Sequence, residues 1–392
     1  MLRRLLRILS WAIGLILIVV GIALWWNWSM VMAMTTSKTR GVDILDGYKP
    51  LVTISGAASV SADELILSPP DLAEAFDYSR KLDGLAMIIA HRGKVIAADY
   101  APGLGPDSLF ETFSMHKSVL GLLYGAAIRD GVIGGINDPV GNYIDEWKSD
   151  PRGAIPLAHF LSMASGLKFY SLNKGEWPAL QLVMSDRVSA TALSIPIAKP
   201  SGSEFEYYNV NSQIAGIALD RALKKSGRSG YAAYLQAALW QPIGARDARL
   251  WIEHNGGDPR FFSGLQARAG DWLKVGQLIA DGGKVGDQQV IPVEWIAQMT
   301  APSALNPNYG MQIWRGSPWT EKRAYGPNTP FKVPHSKAYL VDDLVFFDGF
   351  GGERVYVSPS LDLVIVRIGR PRFDFDDSII PNAVIQGLGL TK

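Results

Sequence analysis

The hydrophobic pattern of the chain changes character twice. An apolar run from Leu85 to Ala90 is interrupted by Arg92-Gly93-Lys94 and resumes at Val95, which predicts a β-hairpin. After residue 342 strand-like runs return between Gly-rich and Ser-Pro turns, at Leu344–Phe347, Arg354–Val357 and Leu363–Ile368. The stretches between these two regions predict helices because they are long, largely apolar and free of proline: Ser118–Ile128, Gln213–Leu223, Tyr231–Leu239 and Asp271–Ala280.

Strands at both ends with helices between them predict an α+β fold. The two ends of the chain should supply one antiparallel sheet flanked by helices, with an inserted, mainly helical subdomain at about residues 130–300. Residues 71–392 are expected to form this domain, preceded by a polar tether and lead-in at residues 35–70 and a membrane anchor at residues 1–34.

The predicted anchor rests on charge and length. Arg3, Arg4 and Arg7 precede an uncharged apolar run of 19 residues from Ile8 to Trp26. As a helix this run would span about 28 Å, close to the ~30 Å hydrocarbon core of a bilayer. Arginines on one side alone predict a cytoplasmic N-terminus, with the rest of the chain on the periplasmic or extracytoplasmic side of the cytoplasmic membrane. A cleaved signal peptide is the alternative.

Composition excludes several kinds of protein. The 392 residues carry 38 Lys+Arg against 37 Asp+Glu, and this balance argues against a nucleic-acid partner. With no cysteine, the chain can have neither disulfides nor a thiol nucleophile. The five histidines show no metal-ligand spacing, so neither a metal nor another cofactor is predicted. The oligomeric state is left open, and the expected partner is a small-molecule substrate.

A serine and a lysine one helical turn apart are the first candidate chemistry. Ser-x-x-Lys occurs three times, but only Ser114-Met115-His116-Lys117 opens a helix that is apolar nearly all round. The matches at Ser165 and Ser171 lie in stretches that predict loops. A buried lysine has a depressed pKa, so Lys117 can accept the proton that makes Ser114 a nucleophile. In the alternative, Ser114 only caps the helix and Lys117 is solvated.

Two further segments could complete a site. Tyr207-Tyr208-Asn209 offers a phenol that can relay a proton and an amide that can hold a carbonyl group, although it could also be a turn. Asp348-Gly349-Phe350 lies between two predicted strands, where glycine lets a ligand backbone approach closely; the alternative is a bent hairpin.

In motif order and spacing the chain resembles the serine β-lactamase and penicillin-binding-protein superfamily over roughly residues 80–370. The closest likeness is the class C-like branch, which includes carboxylesterases and 6-aminohexanoate-dimer hydrolases. The resemblance implies a β-lactamase/transpeptidase-like fold, with Ser114 as the acylated nucleophile, Lys117 as its base and Tyr207 as proton shuttle. The implied substrate-binding residues are Asn209, Asp348, Gly349 and Phe350. The implied oxyanion hole uses the backbone N–H of Ser114 and one near Phe350.

The third motif departs from the family's pattern. Relatives usually carry a lysine or histidine there, whereas the matching residues here are Phe347-Asp348-Gly349, without a cation. The resemblance therefore implies an amidase or esterase of the 6-aminohexanoate-dimer-hydrolase type. The alternatives are a β-lactamase or D-Ala-D-Ala carboxypeptidase, and a non-catalytic cell-wall or peptide-binding module of the same fold.

Overall fold

The computed structural model of the chain describes residues 11, 13–21, 40–57 and 70–391. Residues 35–39 and 58–69 of the predicted tether and lead-in, and part of the apolar run Ile8–Trp26, lie outside these residues. Residues 11 and 13–21 of that run are helical. Among the residues described, no helix is both long enough and apolar enough to cross a bilayer.

The strands form two larger antiparallel sheets and two small hairpins. In chain order they are β1 (Leu51–Ile54), β2 (Gly84–His91), β3 (Lys94–Tyr100), β4 (Phe110–Glu111), β5 (Ala248–Trp251), β6 (Leu265–Ala267), β7 (Lys284–Val285), β8 (Gln288–Gln289), β9 (Trp314–Arg315), β10 (Lys322–Ala324), β11 (Lys332–Pro334), β12 (Val345–Gly349), β13 (Glu353–Ser358) and β14 (Leu363–Gly369).

Ten helices accompany these strands in the range 70–391. They are α1 (Ala73–Lys81), α2 (His116–Arg129), α3 (Leu157–Leu161), α4 (Trp177–Met184), α5 (Val188–Ser194), α6 (Asn209–Lys225), α7 (Tyr231–Leu235), α8 (Ala269–Ala280), α9 (Val293–Thr300) and α10 (Ile379–Gly387). The interval of residues 130–300 holds α3–α9, and it also contributes strands β5–β8.

The central sheet joins the two ends of the domain, as the sequence predicts. Its six strands run in the order β3-β2-β14-β13-β12-β9, and β2 pairs antiparallel with β14. The predicted hairpin is β2–β3, whose turn residues Arg92 and Gly93 both have positive φ, at 52° and 69°. Two left-handed residues give the turn the twist that a tight hairpin requires. The four-stranded sheet, in the order β1-β5-β6-β4, lies outside the predicted one.

Helices cover both faces of the central sheet. Successive residues of a strand point to opposite faces, and β14 shows this clearly. Val364 and Val366 belong to the core cluster that contains Trp272 of α8, whereas Leu363 and Ile365 belong to the cluster formed with α1 and α10. Because both faces are buried, β14 reads in the sequence as a continuous apolar run rather than an alternating one.

Helix α2 runs through the middle of the larger core cluster and is buried from His116 to Ala127. Its close neighbour is α9, whose Trp295 donates its indole N–H to the carbonyl oxygen of Gly121 at 2.9 Å. A Cβ atom on Gly125 would collide with the ring of Trp295. Glycine at this position therefore lets the indole lie directly on the helix backbone.

Replacing Gly125 by alanine should lower the free energy of unfolding by about 1–3 kcal/mol, because the added methyl group overpacks a dense core. Denaturant unfolding measures the change. Gly105→Ala is the matched control, since a Cβ there meets open space; it should leave stability unchanged or raise it by up to ~1 kcal/mol. Equal losses in the two variants would contradict this account of packing.

Candidate active site

The position of Ser114 follows from a sharp turn between a short strand and a buried helix. Strand β4 ends at Glu111, a 3-10 turn covers Phe113–Met115, and α2 begins at His116. Phe113 has a φ of 46°, in the left-handed region that a bulky residue seldom adopts. Such a conformation persists only where its surroundings impose it. The turn leaves Ser114 half-buried at the entrance of α2.

Glu111 supplies part of that constraint. Its Oε1 atom accepts the backbone N–H of Phe113 at 2.9 Å and that of Gly264 at 3.0 Å. Burial raises the pKa of this carboxyl to about 7, against the opposing effect of the two N–H groups. Glu111 thus links the turn at Phe113 to the connection between β5 and β6. This connection contributes a second group to the site.

That second group is the carbonyl oxygen of Phe262, which contacts the amine of Lys117. The Lys117 Nζ atom lies 2.8 Å from Ser114 Oγ, 2.9 Å from Asn209 Oδ1 and 3.1 Å from Phe262 O. The lysine is 1% exposed, and its desolvation lowers its pKa to about 7. The negative charge of Asp348 acts in the opposite direction and raises this pKa.

The three contacts of Lys117 serve both protonation states of its amine. An ammonium group donates to all three oxygens. When the amine is neutral, the oxygens of Asn209 and Phe262, which can only accept, keep its two N–H groups, and the nitrogen lone pair is left for the hydroxyl of Ser114. In this arrangement Lys117 is placed to remove the proton of Ser114, and the depressed pKa keeps a substantial fraction of the amine in that form at neutral pH.

Tyr207 is a second side chain that interacts with Ser114. Burial raises its pKa well above the usual value, and the charge of Asp348 adds to this, while a hydrogen-bonding interaction with the Ser114 side chain opposes it. The phenol therefore stays protonated at neutral pH and is available as a proton donor. Its backbone N–H donates to the carbonyl oxygen of Tyr325 at 2.7 Å, and the Lys117 amine lies 4.9 Å from the centre of its ring.

The end of β12 closes the site beside the turn Phe113–Met115, which carries Ser114 and which we call the nucleophile turn. A Cβ on Gly349 would lie 2.7 Å from the carbonyl oxygen of Thr112, so only glycine allows this approach. The rings of Phe113 and Phe350 then meet edge to face at 6.0 Å. The backbone of Phe350 thus follows the strand end that lies beside Ser114, as the resemblance implies for an oxyanion hole.

Asp348 lines the site but is already held by cations from neighbouring strands. Its Oδ2 accepts from Arg323 at 3.0 Å and from the Tyr325 hydroxyl at 2.6 Å, and its Oδ1 forms an ion pair with Arg354 at 2.5 Å. Both arginines also pair with the buried Asp377. The third motif indeed lacks a cation of its own, and the two nearby arginines are buried and neutralised.

These groups surround one open cavity of about 500 Å³. Of the seven residues predicted for the site, six line it: Ser114, Tyr207, Asn209, Asp348, Gly349 and Phe350. Lys117 does not line the cavity, but its amine is hydrogen-bonded to Ser114 and Asn209, which do. Within the described residues, no group of three or more His, Asp or Glu side chains is arranged to hold a metal ion.

Sequence reasoning missed three contributors to this site. Glu111 stands directly after a buried phenylalanine and two residues before the turn, and a lone carboxylate in that position was a signal that could have been used. No sequence pattern indicated Tyr325 or the Phe262 carbonyl, because each is brought to the site by tertiary contacts between segments that are far apart in the sequence. His116, within the first motif, is a core residue: its Nδ1 lies 2.8 Å from the Ser263 carbonyl oxygen.

Comparison with known proteins agrees with this arrangement. The Beta-lactamase family model matches residues 70–368, more than half of the chain, so the protein belongs to the beta-lactamase family. A 6-aminohexanoate-dimer hydrolase from Paenarthrobacter ureafaciens is 24% identical over 257 residues. That match covers 62% of this chain and 62% of the hydrolase, which is less than two thirds of the relative's length.

Solved structures share the fold at low sequence identity. A Bacillus anthracis protein provisionally named as a 6-aminohexanoate-dimer hydrolase has a TM-score of 0.67 at 16% identity, covering 89% of this chain and 91% of its own. A penicillin-binding-protein homologue from Caulobacter crescentus has a TM-score of 0.60 at 16% identity, covering 82% and 98%. A family VIII carboxylesterase has a TM-score of 0.56 at 15% identity, covering 82% and 97%. These likenesses confirm the predicted β-lactamase/transpeptidase-like α+β fold.

Asp348→Asn should shift the pH dependence of the site. The carboxylate raises the pKa of Lys117, so its removal should lower that pKa further. The base would then remain neutral to lower pH, and the acid limb of kcat/KM, expected near pH 7 in the wild type, should move to lower pH. A pH profile of ester hydrolysis measures this.

Asp287→Asn, at an exposed position between β7 and β8, is the matched control and should keep the wild-type profile. Thermal unfolding of both variants checks that Asp348→Asn is folded, since it leaves two buried arginines with one carboxylate fewer. An acid limb that stays in place or moves to higher pH in the folded variant would contradict the assignment of Lys117 as the titrating base.

Proposed function

We propose that this protein is a serine hydrolase that cleaves an amide or ester bond through an acyl-enzyme on Ser114. The observation that carries the proposal is the 2.8 Å contact between Ser114 Oγ and a desolvated Lys117 amine, beside the phenol of Tyr207, which also interacts with Ser114. A serine that only capped the helix would not need a buried lysine held by two carbonyl oxygens.

The side chains of the site divide the reaction between them. Lys117 takes the proton of Ser114 as Oγ attacks the carbonyl carbon, and the developing oxyanion is met by backbone N–H groups at Ser114 and Phe350. Tyr207 gives a proton to the leaving amine or alcohol as its bond to the carbonyl breaks. A water molecule then attacks the ester on Ser114 and gives one proton to the Tyr207 phenolate, while Lys117 returns its proton to Ser114 Oγ, so that the acid is released and the three side chains regain their starting protonation. Asn209 orients the Lys117 amine.

The charge distribution favours an amidase or esterase over a β-lactamase or a D-Ala-D-Ala carboxypeptidase. Those activities act on substrates that carry a carboxylate, and a cation at the cavity wall helps to bind it. Arg323 and Arg354 are 2% and 1% exposed, and they do not line the cavity. The proposal therefore takes only the type of bond cleaved, an amide or an ester, from the 6-aminohexanoate-dimer hydrolase and carboxylesterase relatives, and does not take their substrates.

Labelling with a fluorophosphonate, together with turnover of small p-nitrophenyl esters, tests the proposal. Wild-type protein should be labelled and active. Ser114→Ala should lose the label and lower turnover by about 10³-fold or more, because the covalent step is gone. Ser165→Ala, which alters another Ser-x-x-Lys serine, is the matched control and should keep both signals. Full labelling of Ser114→Ala would refute the assignment.

The non-catalytic alternative makes the opposite forecast. A cell-wall or peptide-binding module would show no Ser114-dependent turnover of short esters, small amides or a cephalosporin. The buried Lys117 argues against it, because desolvating an amine beside a hydroxyl is costly and contributes nothing to binding a peptide.

We also propose that the protein is anchored in the cytoplasmic membrane with its β-lactamase-family domain on the extracytoplasmic side. Support comes from the arginines before the apolar run Ile8–Trp26 and from the exposed apolar side chains among its described helical residues, such as Leu15 and Ile18. In fractionated cells the protein should remain in the membrane pellet after alkaline carbonate extraction. Release into the soluble fraction would contradict the anchor.

A further inference from the structure

An unbroken series of aromatic rings runs round the cavity. Phe113, in the nucleophile turn, contacts Phe350 at 6.0 Å; Phe350 contacts Phe373 at 5.5 Å; and Phe373 contacts Phe331 at 5.2 Å. Phe331 stacks on Tyr325 at 5.7 Å, and Tyr325 meets Tyr207 at 5.1 Å. The series therefore begins beside Ser114 and returns to it at the proton donor.

Several apolar side chains of the cavity wall are also open to solvent. We call Leu172, Val183, Phe350 and Phe373 the apolar rim; they are 45%, 36%, 51% and 57% exposed, and all four line the cavity. Large apolar side chains scattered singly on a surface need no explanation, but a group continuous with a cavity marks a binding surface. The rim extends the apolar wall outward from the reacting serine.

The wall presents no free charge to a ligand. Among the described lining residues, Asp348 alone is ionisable as a carboxylate or cation, and two arginines and the Tyr325 hydroxyl already occupy its oxygens. A carboxylate on the substrate would meet no cation, and an ammonium group would have to compete with two buried arginines for Asp348. Either charged group would lose its hydration without a partner.

We propose that the substrate is uncharged and carries a long apolar chain on one side of the scissile carbonyl, and that this chain leaves the cavity across the apolar rim. The proposal rests on the hydrolase function above and specifies its substrate class. Such a chain gains free energy with each methylene that it buries, whereas the exposed rim residues gain nothing from contact with water. A short polar substrate would leave the rim unused.

Two substrate series test the proposal on the wild-type protein. In the first, p-nitrophenyl acetate, butyrate and octanoate vary the acyl chain; in the second, ethyl and hexyl acetate vary the leaving group. In one of them kcat/KM should rise by up to about fourfold for each added methylene that is buried. p-Nitrophenyl hemisuccinate, a charged match for the butyrate, should be cleaved at least ~10-fold less efficiently. Flat or falling efficiency in both series, or a preference for the hemisuccinate, would overturn the proposal.

Variants connect the chain-length effect to the rim. Leu172→Ser should lower the ratio of kcat/KM for the favoured long ester to that for its short counterpart by about threefold to tenfold, because a contact with the chain is lost. Leu305→Ser is the matched control, since Leu305 is 40% exposed and is not part of the cavity wall. It should keep the wild-type ratio. An unchanged ratio in Leu172→Ser and also in Phe373→Ala would show that the rim does not bind the chain.

Failure of this proposal and failure of the hydrolase function give different results. Ser114-dependent labelling and turnover of p-nitrophenyl acetate report on the hydrolase function alone. A protein that passes that test but shows no dependence on chain length is a hydrolase with a different substrate class. A protein that fails it is not a serine hydrolase at all.

Discussion

The site depends on removing one amine from water. Lys117 lies at the buried start of α2, and its nitrogen is hydrogen-bonded to Ser114 Oγ and to two carbonyl oxygens. Each of these oxygens comes from a different part of the chain: the nucleophile turn, the first residue of α6 and the connection between β5 and β6. The pKa of the amine is therefore a property of the assembled fold, and no isolated segment could reproduce it.

The same assembly positions the hydroxyl. The left-handed Phe113 is held through Glu111, which also binds Gly264, two residues after the carbonyl that accepts from Lys117. The buried carboxyl of Glu111 thus fixes the position of Ser114 relative to Phe262, whose carbonyl oxygen contacts Lys117. Glycine at 349 lets β12 approach from the other side. Lys117, the turn that carries Ser114 and the end of β12 are thus held in place by contacts from both buried side chains and backbone groups.

The sequence predicted the parts of this protein that depend on local pattern. The β2–β3 hairpin and helices α2, α6 and α8 were visible as apolar runs, and three spaced motifs identified the residues that meet at the cavity. What could not be predicted depends on tertiary contact. The sheet formed by β1, β5, β6 and β4 consists of short strands that pair across long stretches of sequence, so no periodicity marks it. Tyr325 and Arg323 reach the site only because the β10–β11 hairpin folds over it.

Several residues, and not the third motif alone, account for the absence of a free cation at the cavity wall. Arg323, Arg354, Asp348 and Asp377 form a buried quartet of two arginines and two aspartates, and His335 Nε2 lies 3.3 Å from Asp377 Oδ2. A lysine at position 348 would leave three cations around the single carboxylate of Asp377, so replacing Asp348 by lysine is expected to destabilise the fold. The charge of the cavity wall at Asp348 is therefore balanced from inside the molecule, by arginines that do not line the cavity themselves.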